Sequence, residues 1–374
     1  MLLIQGAKVL APHELGLMDV FIASGKICAL DSQLVPNLPG VERVDGKSLW
    51  LTPGLVDGHA HIAGAGGEGG PASRTQEMTA NDFFAAGVTS VVGCLGMDGY
   101  TRTVESVLMK ARQMRAMGLS AYLYTGAYQV PPPTISGNVA RDLAWFEEVI
   151  GVGEIAIADH RGSAPTMLDL VRLTHESRLG GMLGGKAGIV HFHMGDARDP
   201  FSLLEAMVAE GSCQHHHFFP THVNRNAHIC EQAKQYGKNG PMDVTASSWP
   251  YFPDLDIKPS RALNSFIAAG VPLANLCMSS DAGGSLPEFD ERGDCVAVHQ
   301  GKPDCLHREL LDLIHQEGWS LSDALRPVTE NPARVLKLKT KGQIAVGKDA
   351  DLLLLNEDLN IHSVYSTGIR RFPQ

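Results

Sequence analysis

LTPGLVDGHAH, residues Leu51 to His61, is the stretch whose reading decides the fold. An apolar, strand-like run ends in Asp57-Gly58 and then presents His59 and His61, one residue apart. In a β-strand residues i and i+2 point to the same side, so both imidazoles face one place. Two imidazoles at the carboxyl end of a strand make half of a transition-metal site. A pair of surface histidines is the alternative for such a spacing taken alone. Further donors exist downstream, because His193, His222 and Asp281 each follow a similar apolar run. The pattern therefore points to a metal-dependent enzyme.

Working outward, short apolar runs alternate with helical stretches through the middle of the chain. The expected strands are 51–57, 89–95, 120–125, 154–159, 188–194, 216–221, 242–246 and 274–280, and the expected helices are 104–117, 140–150, 167–179, 202–210, 228–236 and 260–269. Eight such units predict an α/β fold, a (β/α)8 TIM-type barrel, whose sites form at the carboxyl ends of the strands. All five candidate ligands fall on that rim. Both chain ends read differently, as short β-runs with Ser24-Gly25-Lys26 and Asp45-Gly46-Lys47 as hairpin turns. A small β-sandwich domain built from residues 1–50 and 338–374 is expected, flanking a barrel at 51–337.

The composition narrows the partners. Hydrophobic residues make up 44% and charged residues 19%, as in an ordinary globular chain. The net charge of -10 lacks the basic footprint of a nucleic-acid binder. No apolar run approaches a membrane span, and the first ten residues are too interrupted for a signal segment. Seven scattered cysteines with no CxxC read as reduced thiols, so a cytoplasmic location is expected.

PGLVDGHAH, the histidines after strands five and six, SSDAGG at 279–284 and NPARVLKL with KGQIAVGKDADLLLL at the end together resemble the amidohydrolase superfamily. Several loops are similar to those of the bacterial isoaspartyl (β-aspartyl) dipeptidases: Gly66-Gly67-Glu68, TGAYQVPPPTISG at 125–137, ADHRGSAP at 158–165, HFHMGD at 191–196, PTHVNRN at 220–226 and SSDAGGSLP at 279–287. The resemblance implies hydrolysis of β-aspartyl dipeptides by a metal-bound hydroxide, with two zinc ions per subunit, in a homo-oligomer. It implies that His59 and His61 hold one metal with Asp281, and that His193 and His222 hold the other. Asp281 would carry the proton and Tyr128 would stabilise the oxyanion. Arg161 and Arg225 would grip the leaving amino acid's carboxylate, since guanidinium binds a carboxylate bidentately. Glu68 would meet the free amine, and Ser285 with backbone near Gly66 the aspartyl carboxylate. Other amidohydrolase activities, on a cyclic amide or an N-acyl amino acid, and a non-catalytic binding protein are the rival readings.

Two positions depart from the pattern. The family's bridging ligand is a carboxylated lysine on strand four, whereas no lysine stands between Lys110 and Lys186 and the matching position is Glu154. Glutamate offers the same charge and two oxygens on a shorter stem. Either the metals sit closer to this strand or its backbone shifts inward, which the small Gly151 and Gly153 permit; a weakened second site with one metal is the competing outcome. Met97 stands where the subfamily has a threonine, which loosens the contacts to the aspartyl carboxylate. His215, His216 and His217 read as structural, His160 as a neighbour that orients Arg161, and Cys94 and Cys277 as small core residues.

Overall fold

The structure, a computed structural model, describes residues 1–36 and 38–373. Eight strands run through its centre: β1 (Leu55–Ala60), β2 (Val88–Gly93), β3 (Ser120–Thr125), β4 (Val149–Ile157), β5 (Ile189–Met194), β6 (Phe218–Thr221), β7 (Met242–Thr245) and β8 (Leu276–Ser279). Strands β1 to β6 form one parallel sheet in chain order, and β7 pairs with β8 in parallel. The pair packs beside β6 at one end and beside β1 at the other. Ala60 at the end of β1 also bridges Ala282, just past β8. Every residue of β1, β2, β4 and β5 is buried, as in parallel strands covered by helices on one face and packed inward on the other.

The helices lie close to their expected places, at Val104–Ala116, Met167–Gly184, Ser202–Ala209, Ala227–Tyr236 and Pro259–Ala268. Thr103, Thr166 and Asn226 cap three of them by accepting from backbone N–H groups in the first turn. One segment differs. The helix expected at 140–150 is Val139–Trp145, and β4 already begins at Val149. Val149 and Ile150 are apolar in either pattern, and their β-branching suits the strand.

The expected first strand is two strands. Trp50–Pro53 belongs to a second sheet, and β1 starts after Gly54. That second sheet joins both chain ends: Leu2–Leu10, Glu14–Ala23, Lys26–Asp31, Glu42–Asp45 and Trp50–Pro53 combine with Leu352–Leu355, Ile361–Ser366 and Ile369–Phe372. It has its own core of Ile4, Val20, Leu51, Leu354 and Tyr365. Ser24-Gly25 makes the expected hairpin turn between Ala23 and Lys26. Asp45-Gly46-Lys47 does not reverse the chain. The strands on either side of it both pair in parallel with Leu2–Leu10, so the segment steps forward along one neighbour. Lys341 ties the two regions together, its Nζ lying 2.6 Å from both Asp351 and the Ser120 hydroxyl at the start of β3. No helix among the described residues is long and apolar enough to cross a membrane.

Candidate active site

The expected ligands meet at the carboxyl end of the strands. His59 lies within β1 and His61 one residue beyond it; His193 is on β5, and His222 and Asp281 follow β6 and β8. Glu154 on β4 stands between them and divides its oxygens. Its Oε1 is 2.8 Å from His193 Nδ1 and 2.9 Å from His222 Nε2. Its Oε2 is 3.5 Å from His59 Nε2 and 3.7 Å from His61 Nε2. Asp281 Oδ1 completes the floor, 3.1 Å from His61 Nε2 and 3.7 Å from His59 Nε2.

Two backbone features build this arrangement. Along β4 and β5, Val152 pairs with Val190 and Ile155 with Phe192, so Gly153 and Glu154 together oppose His191 alone. This is a β-bulge, which re-aims a side chain. A Cβ at Gly153 would lie 2.7 Å from both Cβ and O of His191, so only glycine fits there. His222 and Asp281 adopt φ of 62° and 55°, a left-handed conformation uncommon for residues with a side chain. Such strain gathers at functional sites, where surrounding structure holds it.

The residues present fit a divalent cation. His59 Nε2, Glu154 Oε2 and Asp281 Oδ1 are buried and have no hydrogen-bond partner, a costly state unless a cation satisfies them. Glu154, His193 and His222 form one cluster of donor atoms within 4.8 Å of each other, and Glu154 also belongs to a second with His59, His61 and Cys94. Electrostatics agree. Burial would raise the Glu154 carboxyl, yet facing His59, His193 and His222 hold it well below the usual range. Burial opposes charge on His59, but Glu154, Cys94 and Asp281 outweigh it and raise its pKa well above normal. Asp281 is held down to about 2 against burial by His59 and His61, and burial and neighbouring His193 push His222 down to about 3.

A further layer orients these ligands. Asp57, buried and pushed up to about 6, accepts from Ser280 N at 3.0 Å and from the Ser280 hydroxyl, which fixes the turn before Asp281. Asp243, raised by burial to about 7, accepts from Thr221 Oγ1 at 2.6 Å, and that oxygen is 3.4 Å from His59 Nδ1. Thr245 Oγ1 lies 3.1 Å from His222 Nδ1. Outer partners of this kind set ring orientation.

Above the floor opens a cavity of about 650 Å³, lined by His61, His193, His222 and Asp281 together with Gly66, Glu68, Met97, Tyr128, Arg161, Arg225 and Ser285. Every residue expected at the site thus reaches it, with His59 and Glu154 buried beneath. The Tyr128 hydroxyl is 2.7 Å from His193 Nδ1, and burial keeps the phenol protonated well above its usual range. Glu68 Oε1 accepts from Ser285 Oγ at 2.7 Å and lies 4.0 Å from Arg161 Nη1. Gly66 has φ of 89°, and a Cβ there would meet the Ser73 carbonyl at 2.3 Å.

Sequence reasoning missed Asp159. Its carboxylate accepts from Arg161 Nε at 3.0 Å and Nη2 at 2.7 Å, and lies 3.5 Å from Arg225 Nη1 and 2.9 Å from His193 Nε2. Despite burial, these partners hold it far below the carboxylate range. The Asp-X-Arg spacing was its only signal. Phe252, Leu255 and Asp256 after β7, and Leu286 and Phe289 on the first strand of a hairpin (Ser285–Phe289 with Cys295–Gln300) after β8, also enter the cavity wall unannounced. His160 is largely exposed, its Nδ1 3.8 Å from the Asp159 oxygen that also accepts from Arg161 Nε. His215–His217 form a turn ahead of β6, at the far end from the site, as a structural reading requires.

A TIM-type parallel fold carrying buried histidine and carboxylate clusters at its strand ends defines a metal-dependent hydrolase. Residues 203–370 match the Amidohydrolase family. A β-aspartyl dipeptidase from Fervidobacterium islandicum AW-1, solved in complex with β-Asp-Leu, is 39% identical with a TM-score of 0.93, covering 99% of this chain and 95% of that one. A second structure of β-aspartyl dipeptidase from the same organism is 38% identical with a TM-score of 0.89, over 99% and 96%. A dihydroorotase from Syntrophus aciditrophicus is 23% identical, over 95% of this chain and 89% of its own. The chain belongs to the amidohydrolase family and is an enzyme.

Proposed function

We propose that this enzyme is a zinc-dependent dipeptidase that cleaves β-aspartyl (isoaspartyl) dipeptides. The observation that carries the proposal is the charge layout of the cavity. Two guanidinium groups, Arg161 and Arg225, line the cavity above the buried cluster together with the Glu68 carboxylate and the Ser285 hydroxyl, Glu68 Oε1 lying 4.0 Å from Arg161 Nη1. A β-aspartyl dipeptide carries a carboxylate on its leaving residue and an amine and a carboxylate on its aspartyl end. The complex of the Fervidobacterium dipeptidase with β-Asp-Leu supports the same assignment.

In this reading His59, His61 and Asp281 would hold one metal and His193 and His222 another, with Glu154, whose two oxygens face the two histidine pairs, shared between them. The bound cations would lower the pKa of water toward neutrality and polarise the scissile carbonyl. Asp281 accepts the proton of the attacking water and passes it to the leaving amine. Tyr128 donates its O–H to the carbonyl oxygen as charge develops there. Arg161 and Arg225 bind the leaving carboxylate, pinned for that task by Asp159. Glu68 binds the amine; Ser285 and the backbone near Gly66 bind the aspartyl carboxylate, with Met97 a flanking surface that donates nothing. The eight strands close as a (β/α)8 barrel over residues 51–337, and the ends form the small β-sandwich unit, its strand Trp50–Pro53 running past residue 50. Cytoplasmic location and self-association complete the proposal; the seven cysteines are unpaired.

A dipeptide panel on zinc-loaded protein tests it. Turnover of β-Asp-Leu without turnover of α-Asp-Leu is expected. Turnover of a cyclic amide or an N-acyl amino acid, with every β-aspartyl dipeptide untouched, overturns it.

A further inference from the structure

We propose that Asp159 is a positioning residue on which both halves of the site depend. It fixes which ring nitrogen His193 offers to a metal, and it sets the edge that the Arg161 guanidinium turns toward the leaving carboxylate. The first role rests on the metal-binding part of the reading above, the second on its substrate part.

Asp159 stands two residues past β4, and its side chain is 4% exposed. Its Oδ1 accepts from the Arg161 backbone N–H at 2.8 Å and from Arg161 Nε at 3.0 Å. Its Oδ2 accepts from Arg161 Nη2 at 2.7 Å, and lies 2.9 Å from His193 Nε2 and 3.5 Å from Arg225 Nη1. Among the described residues no other carboxylate comes within 4.0 Å of Arg225.

In a neutral imidazole one nitrogen carries the proton and the other the lone pair. His193 Nδ1 faces Glu154 Oε1 at 2.8 Å, so for Nδ1 to meet a metal beside that oxygen the proton must sit on Nε2. Yet Nε2 also lies 3.1 Å from Arg225 Nη1 and 3.3 Å from Arg161 Nη2, and guanidinium groups only donate. Alone, the two arginines would favour a lone pair on Nε2, and with it a proton on Nδ1 that blocks the metal. The Asp159 carboxylate, an acceptor among those donors, reverses that preference. It also occupies the Nε and Nη2 edge of Arg161 and leaves the Nη1 side for substrate. That Nη1 lies 4.0 Å from Glu68 Oε1, on the cavity wall. The structural alternative is a carboxylate that only shapes its own turn, through the bond from the Arg161 backbone N–H.

Asp159→Asn separates the two, because its amide oxygen can keep the turn while its N–H groups face His193 Nε2 as donors. The full-length, metal-free chain is titrated with zinc against a chromophoric chelator. The weaker of the sites should loosen roughly ten- to a hundredfold in the variant; zinc affinities equal to wild type overturn the first role. At saturating zinc, KM for β-Asp-Leu should rise about tenfold or more with a smaller change in kcat, the worth of a hydrogen bond to a charged group. The same dipeptide amidated on its leaving carboxylate should show no such rise. An equal rise on both substrates, or none on either, overturns the second role. If Asp159→Asn does not fold by circular dichroism, Asp159→Ser is read the same way, and failure of both to fold makes Asp159 structural and overturns the proposal. The titration uses no substrate. Zinc loosened by Asp159→Asn in a chain whose wild type cleaves no β-aspartyl dipeptide would therefore break the dipeptidase reading and leave the His193 role standing.

Discussion

The floor and the mouth of the cavity are built on opposite principles. His59, Glu154 and His193 are at most 1% exposed, sit on strands, and have their positions set by a bulge and buried hydrogen bonds. At the mouth, Leu255 is 67% and Phe289 49% exposed, and both belong to segments that follow the last two strands. A strand in a packed sheet cannot shift a donor without disturbing its neighbours, which suits a cation that demands fixed geometry. Loop-borne groups can vary without loss of the fold, which suits substrate selection. Asp159 joins the two levels, since it touches His193 below and both arginines above.

Breaking the floor should have the largest effect. Glu154→Ala removes the group that faces all four histidines. Metal content by elemental analysis should fall below one per chain, and turnover should drop by more than about a thousandfold, the scale seen when a group acting on transition-state charge is lost. Two retained metals with full activity would show that Glu154 does not bridge. At the mouth the loss should be smaller and selective. Arg225→Met should lower kcat/KM for β-Asp-Leu by roughly ten- to a hundredfold, the worth of a hydrogen bond to a charged group. Against a substrate whose leaving carboxylate is amidated, the variant and wild type should differ little; an equal loss on both substrates would place Arg225 elsewhere in the mechanism.

The smallest expected effect concerns the mouth's stability. Burial raises Asp256 from 3.8 to about 6, partly offset by the Ser248 hydroxyl that donates to it. The folded chain therefore holds this proton more tightly than the unfolded one. Its contribution is present below about pH 4, declines as pH rises to about 6, and is flat above that. Asp256→Asn should raise Tm relative to wild type more at pH 8 than at pH 4, by calorimetry. Equal shifts at both pH values would mean that Asp256 ionises normally.

Much of this was legible in the chain. The eight strands could be counted because parallel strands buried on both faces are short apolar runs, and because helices with Thr or Asn caps separate them. The HAH pair and the later His193, His222 and Asp281 could be placed on one rim because strand direction alone puts them there. Where periodicity was ambiguous the reading slipped, as at Val149-Ile150 and across Gly54, which one apolar run concealed. Asp159 could not be seen as a site residue, because it is defined by partners on strand β5 and in the loops after β4 and β6.

The sequence by itself thus determined the strand order, the rim and the residue types that could bind a metal, since these follow from local patterning and the two-residue period of a strand. Only the tertiary structure decided that Glu154 stands between the two histidine pairs, one oxygen toward each. That depended on the bulge at Gly153-Glu154, which is a mismatch between two strands, and no single strand's sequence carries the register of its neighbour.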